Sequence, residues 1–326
     1  MTHWLYEDGI GEERAALTDK RGIIEARIQR HDMPHGLGAI IEGRLLARSA
    51  GGHRARIMLT DGSQAMLQPV PAGLTEGMPV RGQVVREALA EAGTDPGFAR
   101  HKPLRLRAVD PATPLRPAPR LIERITATGH PVETCHAHGT DRLAESGWHE
   151  VVHEAESGVV AFAGGNLLLC PTPAMMVFDV DGDITPRALA LAAASEAAHV
   201  IQRHGIGGSV VIDFPTLADK ADRNAVATAF DAAMARPCER TAINGFGLMQ
   251  IVLKRAQASL IELHAADPVR WRLLARLRSS ERDGGTGALR LKLPQNEAGM
   301  LALNPDLTEA LHRRTGRPVA VEPNPA

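Results

Sequence analysis

The sequence predicts a multi-part α/β protein with a small β-barrel inserted near its N-terminus. Three observations carry this. From about residue 160 onward, strand-like runs alternate with helical runs, the pattern of a sheet with crossover connections. Between 36 and 92, short strand-like runs follow one another with turn signals at barrel-like spacing. Between 93 and 118, a stretch rich in Pro, Gly and Arg separates the two patterns and reads as a linker.

The elements follow in order. Residues 1–35 hold WLYEDGIGEERAALTD and the alternating IIEARIQR, which read as a hairpin. The barrel strands are sought in GLGAIIEGRLLARS, HRARIMLTDG, SQAMLQPVP and PVRGQVVREA, within 36–92. Within 119–172, LIERITAT reads as a helix and HEVVHEAES as a second short element. GVVAFAGGNLLLCPTPAMMVFDVDGD supplies a pair of strands around a turn at Gly164-Gly165. Within 173–282 comes the Ala/Leu-rich helix ITPRALALAAASEAAHVIQRHG, ending at a glycine, and then the strand SVVIDF. DRNAVATAFDAAMARP is a second helix, TAINGFGL a strand-like piece and MQIVLKRAQASLIELHA a third helix, with Phe246 and Met249 expected in the core. The tail, 283–326, reads strand, helix, strand.

Composition bounds the function. With 326 residues, 44% hydrophobic and 23% charged, the chain has the make-up of a globular protein with a substantial core. It holds no run of about 18 apolar residues. The start, MTHWLYEDGIGEER, lacks the basic and apolar blocks of a signal peptide, so the cytoplasm is the expected location. Cys135, Cys170 and Cys238 form no CxxC pair, against a disulfide framework or a cysteine-only zinc site. A formal charge of −1 does not advertise nucleic-acid binding, but the charge is uneven. Residues 102–124 hold six Lys/Arg against two acids, and 269–282 hold five Arg against one Glu. Each strip is either a solvated face or a phosphate-binding surface. An aromatic content of 3% argues against large stacking platforms.

The chemistry concentrates in aspartates. Val210, Val211 and Ile212 form a buried-looking strand that ends on Asp213. The helix 184–205 joins it to a strand carrying Asp179 and Asp181, with Asp183 just beyond. A right-handed crossover places like ends of parallel strands together, so Asp179 and Asp213 should converge, with Asp181 on the face of Asp179. Magnesium takes such a set of oxygen donors in octahedral coordination completed by waters. A magnesium site and a purely structural acid cluster both fit this pattern. No Ser-His-Asp or Cys-His arrangement at nucleophile spacing is present, and His199 and His204 read as surface or core-rim residues rather than ligands.

AFAGGNLLLCPTPAMMVFDVDGD, EAAHVIQRHGIGGSVVIDF and ERTAINGFGLMQIVLKR, in this order and spacing, resemble the catalytic core of the ribonuclease E/G family of bacterial endoribonucleases. The resemblance is strong over about 160–255. It implies an RNase-H-like part (1–35 with 119–172), an OB-type RNA-binding barrel (36–92) and a DNase-I-like catalytic part (173–282). It places Asp179 and Asp213 on the family's magnesium-ligating aspartates. Asp181 falls where the family has an asparagine that orients the site, and adds a third carboxylate for Mg²⁺. Lys254, Arg255 and Arg240 become candidates to neutralise an RNA backbone.

The departures shape the expectation. Residues 280–290, SERDGGTGALR, lack the family's CPxC zinc link, so no zinc-mediated dimer is expected and a monomer is the expected state. The interval 93–119 is too short for the family's 5′-monophosphate pocket, so no 5′-monophosphate requirement is expected. The barrel has Ile57, Met58 and Met66 near where the family has aromatics. The implied function is a Mg²⁺-dependent endoribonuclease that cleaves single-stranded RNA in RNA processing or decay through a metal-activated water. The alternative is a catalytically decayed RNA- or ribosome-binding protein on the same scaffold. A DNA- or nucleotide-directed metallohydrolase is a third reading, because two aspartates do not encode the sugar.

Overall fold

The computed structural model describes residues 2–33, 35–90 and 101–324. Along the chain run β1 (His3–Asp8), β2 (Glu12–Asp19), β3 (Gly22–Arg30), β4 (Ile40–Arg48), β5 (Ala55–Leu59), β6 (Gln64–Leu67), β7 (Pro79–Arg86), β8 (Leu89–Ala90), β9 (His101–Lys102) and β10 (Leu104–Ala108). Then come α1 (Leu121–Thr126), β11 (Val132–Thr134), α2 (Arg142–Glu145), α3 (Trp148–Ser157), β12 (Val159–Phe162), β13 (Gly165–Pro171) and β14 (Met176–Gly182). These are followed by α4 (Pro186–Arg203), β15 (Gly208–Asp213), α5 (Lys220–Ala233), β16 (Cys238–Arg240), β17 (Leu248–Leu253) and α6 (Leu260–Ala266). The chain closes with α7 (Pro268–Arg282), β18 (Leu289–Pro294), α8 (Gln295–Leu303), α9 (Pro305–Thr315) and β19 (Val319–Asn324).

Two compact units divide the chain. The first is Met1–Asp32, Leu121–Ser157 and Leu263–Ala326; the second is Met33–Arg120 and Gly158–Glu262. Both are interrupted in sequence.

The first unit contains a four-stranded sheet of order β11-β1-β2-β3 and the parallel pair β18-β19. β2 is buried along nearly its whole length, so its charged residues Glu12, Glu13 and Arg14 are forced inside along with Glu7 of β1. Buried charges are tolerated only when paired. Arg14 donates to Glu7 at 2.6 Å, lies 3.4 Å from Asp141 and places its guanidinium 5.1 Å from the Trp148 ring centre. Glu13 accepts from Tyr6 Oη at 2.7 Å and from the Leu121 amide at 2.6 Å.

The second unit holds the closed barrel, β10-β6-β5-β4-β7, and a six-stranded sheet of order β12-β13-β14-β15-β17-β16. The barrel is filled by Leu45, Ile57, Leu67, Val84 and Leu106 among others. Strict alternation explains β5: Ala55, Ile57 and Leu59 point in, while Arg56 is exposed. In the six-stranded sheet, β14 and β15 are parallel and joined by α4, while β17 runs antiparallel to β15.

Several expectations change. Leu104–Ala108 is not linker: its Leu/Arg alternation makes the strand that closes the barrel, and the linker's 93–100 lies outside the described residues. The 1–35 hairpin is a three-stranded meander. The strands read as a pair around Gly164-Gly165 are three, β12 to β14, and β12 and β13 group with the second unit rather than with 119–157. The third helix does not begin at Met249: Met249, Ile251 and Leu253 alternate with exposed neighbours as β17, and helix starts only at Leu260. α7 groups with the first unit rather than with the 173–262 sheet. The tail holds two helices between its parallel strands. Cys170 is exposed and Cys238 half-buried, whereas Cys135 is buried.

Candidate active site

Alternation decides which face of the six-stranded sheet carries polar groups. Phe178 and Val180 of β14, Val210 and Ile212 of β15, and Met249 and Ile251 of β17 are buried. The residues between them point to the opposite face, where Asp179, Asp181 and Asp213 are exposed. Asp179 is directly in register with Asp213 across the parallel pair. The row extends on both sides, Leu168 opposite Asp179 and Leu248 opposite Asp213. Asp181 lies one step further along, opposite Asn166.

Adjacent strands lie about 4.8 Å apart, so two in-register carboxylates are close enough to share one divalent cation. No hydrogen bond or ion pair with any described residue engages the carboxylates of Asp179, Asp181 or Asp213. Side by side without a counter-charge, the pair fits a hard cation with water completing its shell. The structure does not gather all three carboxylates. Among the described residues, the one cluster of three ligating groups within 4.8 Å is Asp8, Glu13 and His31, in the first unit. Both Glu13 oxygens there already accept hydrogen bonds.

Beside the pair stands a residue that the sequence reading put in the core. Phe246 is 82% exposed, whereas Met249 is fully buried. The loop before β17 holds the ring out: Asn244 Oδ1 accepts from the amides of Phe246 (2.9 Å) and Leu248 (3.0 Å). Gly247 has φ of 95°, and a Cβ there would lie 2.2 Å from the Phe214 carbonyl oxygen, so only glycine fits. The Phe214 amide in turn donates to Gly247 O at 3.1 Å, which ties this loop to the residue after Asp213. The signal was present in the sequence: an aromatic between two glycines, Gly245 and Gly247, marks a loop tip rather than a core position.

The proposed phosphate-neutralising residues lie elsewhere. Gly208 pairs with Leu253, so Lys254 and Arg255 sit at the start of β15, five residue steps or about 17 Å from Asp213. Arg255 is ion-paired to Glu262. Arg240 forms a two-pronged pair with Asp231, which holds the Asp231 carboxyl below its usual range through that hydrogen bond. His199 is half-buried beside Glu196, and His204 is buried at the end of α4.

The arginines of the second basic strip are ion-paired. Within the first unit, α7 aims Arg270 at Asp32 (3.0 Å), Arg272 and Arg276 at Glu297 (3.3 and 2.8 Å), Arg278 at Glu12 and Arg282 at Glu7 (3.0 Å). No described helix is long and apolar enough to cross a membrane. Residues 123–256 match the model of the Ribonuclease E/G family. No curated protein matches the chain.

Proposed function

Since residues 123–256 belong to the ribonuclease E/G family, a family of endoribonucleases, we propose that this chain is a Mg²⁺-dependent endoribonuclease acting on single-stranded RNA. The observation that supports it best is the Asp179–Asp213 pair, in register, exposed and without protein counter-charge, inside the matched segment. Asp179 and Asp213 would hold the ion, with Asp181 one step along adding negative charge. Held by these carboxylates, a magnesium ion would supply a bound water of lowered pKa and charge to polarise the scissile phosphate.

The protein's own groups do the positioning. Phe246, held rigidly beside Asp213, offers a face on which a base stacks, fixing the strand over the carboxylates. The open face around them carries Leu168, Leu248 and Gln250, which admit an extended strand without competing for the cation. In this reading the products carry a 5′-phosphate and a 3′-hydroxyl. The barrel is the OB-type part, the first unit corresponds to the RNase-H-like part and the six-stranded sheet to the DNase-I-like part. The setting is the cytoplasm, and assembly needs no zinc.

Replacing Asp213 by Asn tests the site. Cleavage of a single-stranded RNA with Mg²⁺ should vanish while circular dichroism and melting stay unchanged, because the side chain is exposed and unpaired. Retained cleavage would refute the assignment. The decayed RNA-binding alternative is favoured by the ungathered third carboxylate. Wild-type protein that binds RNA yet gives no Mg²⁺-dependent product would establish it.

A further inference from the structure

At the opposite end of β14 and β15 from the aspartates, the second unit encloses a cavity of about 330 Å³. Five cationic side chains line it: Arg86 of β7, Lys102 of β9, Arg105 of β10, and Lys254 and Arg255 just after β17. One carboxylate, Glu262, faces them and is paired to Arg255. Arg86, Arg105 and Lys254 pair with no described carboxylate, which leaves three positive charges in one small space.

Their hydrogen bonds are incomplete. The Nε of Arg86 and of Arg255 are buried and have no acceptor. The side chains of Arg105 and Lys254 make no hydrogen bond or ion pair with any described residue. Burial first, and then Arg105, Arg255 and Arg54 nearby, push the Arg86 guanidinium below its ordinary pKa. The backbone of β15 lies close beneath Arg255. Gly208 has φ of 89°, and a Cβ there would press on Arg255 Cδ at 3.1 Å. Crowding like charges around an empty space costs stability unless an anion compensates.

We propose that this cavity is an anion site for a phosphate group of the RNA strand, remote from the cleavage point. The RNA identity of the ligand rests on the nuclease reading above; the anion chemistry does not. A strand leaving the aspartates along β15 reaches the cavity after a short run of nucleotides, since the two ends of that strand are about 17 Å apart. The guanidinium forks of Arg86 and Arg105 suit two-pronged contact with a pair of oxygens of a tetrahedral phosphate.

The test compares wild type with the double variant Arg105→Gln/Lys254→Gln, whose replaced side chains hold nothing else in place. Inorganic phosphate should raise the melting temperature of wild type above that in chloride of equal ionic strength, and should not do so for the variant. In parallel, binding of a 5′-hydroxyl single-stranded RNA is followed against salt, on the Asp213→Asn background to prevent cleavage. The slope of log K against log salt should fall by about one when the two cations are removed. A 5′-phosphorylated oligonucleotide should bind as the 5′-hydroxyl one does; a gain lost in the variant would assign the cavity to a chain end and overturn the internal-phosphate placement. RNA binding with an unchanged slope, or no response to phosphate, overturns the site. Phosphate stabilisation without any RNA binding leaves the anion site standing and overturns the nuclease reading instead.

Discussion

The arginines of α7 and the cations around the β14–β15 cavity look alike in sequence and end in opposite states. Those of α7 all meet carboxylates within the first unit, and two of these, Glu7 and Glu12, are among the most buried side chains of the molecule. Around the cavity, Arg255 takes the one lining glutamate, and Arg86, Arg105 and Lys254 meet no described carboxylate. One set holds the fold together, and the other is left for something outside the chain. Basic residue density alone therefore carries little information. What decides is where the acids lie, and for Arg278 the acid lies 266 residues away.

The sharpest way to break this contrast is Arg14→Ala. It leaves Glu7, in a site where both side chains are nearly inaccessible, with Arg282 as its remaining cation, so the cost should approach but not exceed the about 3–5 kcal/mol of a fully broken buried pair. A large drop in denaturation midpoint is expected. A loss below about 1 kcal/mol would show that the first unit does not depend on its inner charges.

A middle-sized effect is expected at Phe246. Phe246→Ala should weaken single-stranded RNA binding by about 1–3 kcal/mol, roughly 5- to 150-fold in Kd, the worth of one stacked base. Thermal stability should hold, because the ring is exposed. Equal affinity in the two proteins would remove the ring from the binding surface.

A smaller, pH-dependent term lies in the first unit. Burial works to raise the Asp141 pKa, but the Ala144 amide and the guanidiniums of Arg14 and Arg282 outweigh it and leave the carboxyl below its ordinary 3.8. A carboxyl depressed in the folded state contributes stability that is complete above its unfolded pKa and lost as pH falls through the folded value. Stability should therefore decline below about pH 4, and Asp141→Asn should flatten part of that decline. An identical acid limb in both proteins would contradict it. The smallest expected effect is Arg105→Ala, within about ±0.5 kcal/mol of wild type or slightly stabilising, since it removes a repelled charge and no partner.

Much of the second unit was legible in the sequence. Period-2 alternation and the crossover rule placed Asp179 beside Asp213 on one face, and both features are local to 176–213. The errors have physical causes as well. LRLRA alternates like a strand, yet its proline-rich flanks made 93–118 look like connection. MQIVL alternates too, but running it into the helix-forming QASLIELHA hid the break at Leu253. Phe246 was misplaced because its apolar side chain suggested burial, whereas the backbone of its two glycine neighbours set its exposure. The ion pairs of α7 leave no local trace, because their partners come from β1, β2 and α8.

The interleaving of the two units sets an order of manufacture. A growing chain has all of the second unit once Glu262 is added, barrel and aspartate sheet alike. The first unit must wait for the segment from Leu263 onward, although its opening strands are made first. During that wait Glu7 has Arg14 but not Arg282, and Glu12 lacks Arg278, so burying Glu12 would leave its charge unpaired at high cost. The earliest strands are thus held open while the later sheet folds, and a chain cut near residue 262 keeps its carboxylate pair but cannot complete the charge pairs of the unit that begins it.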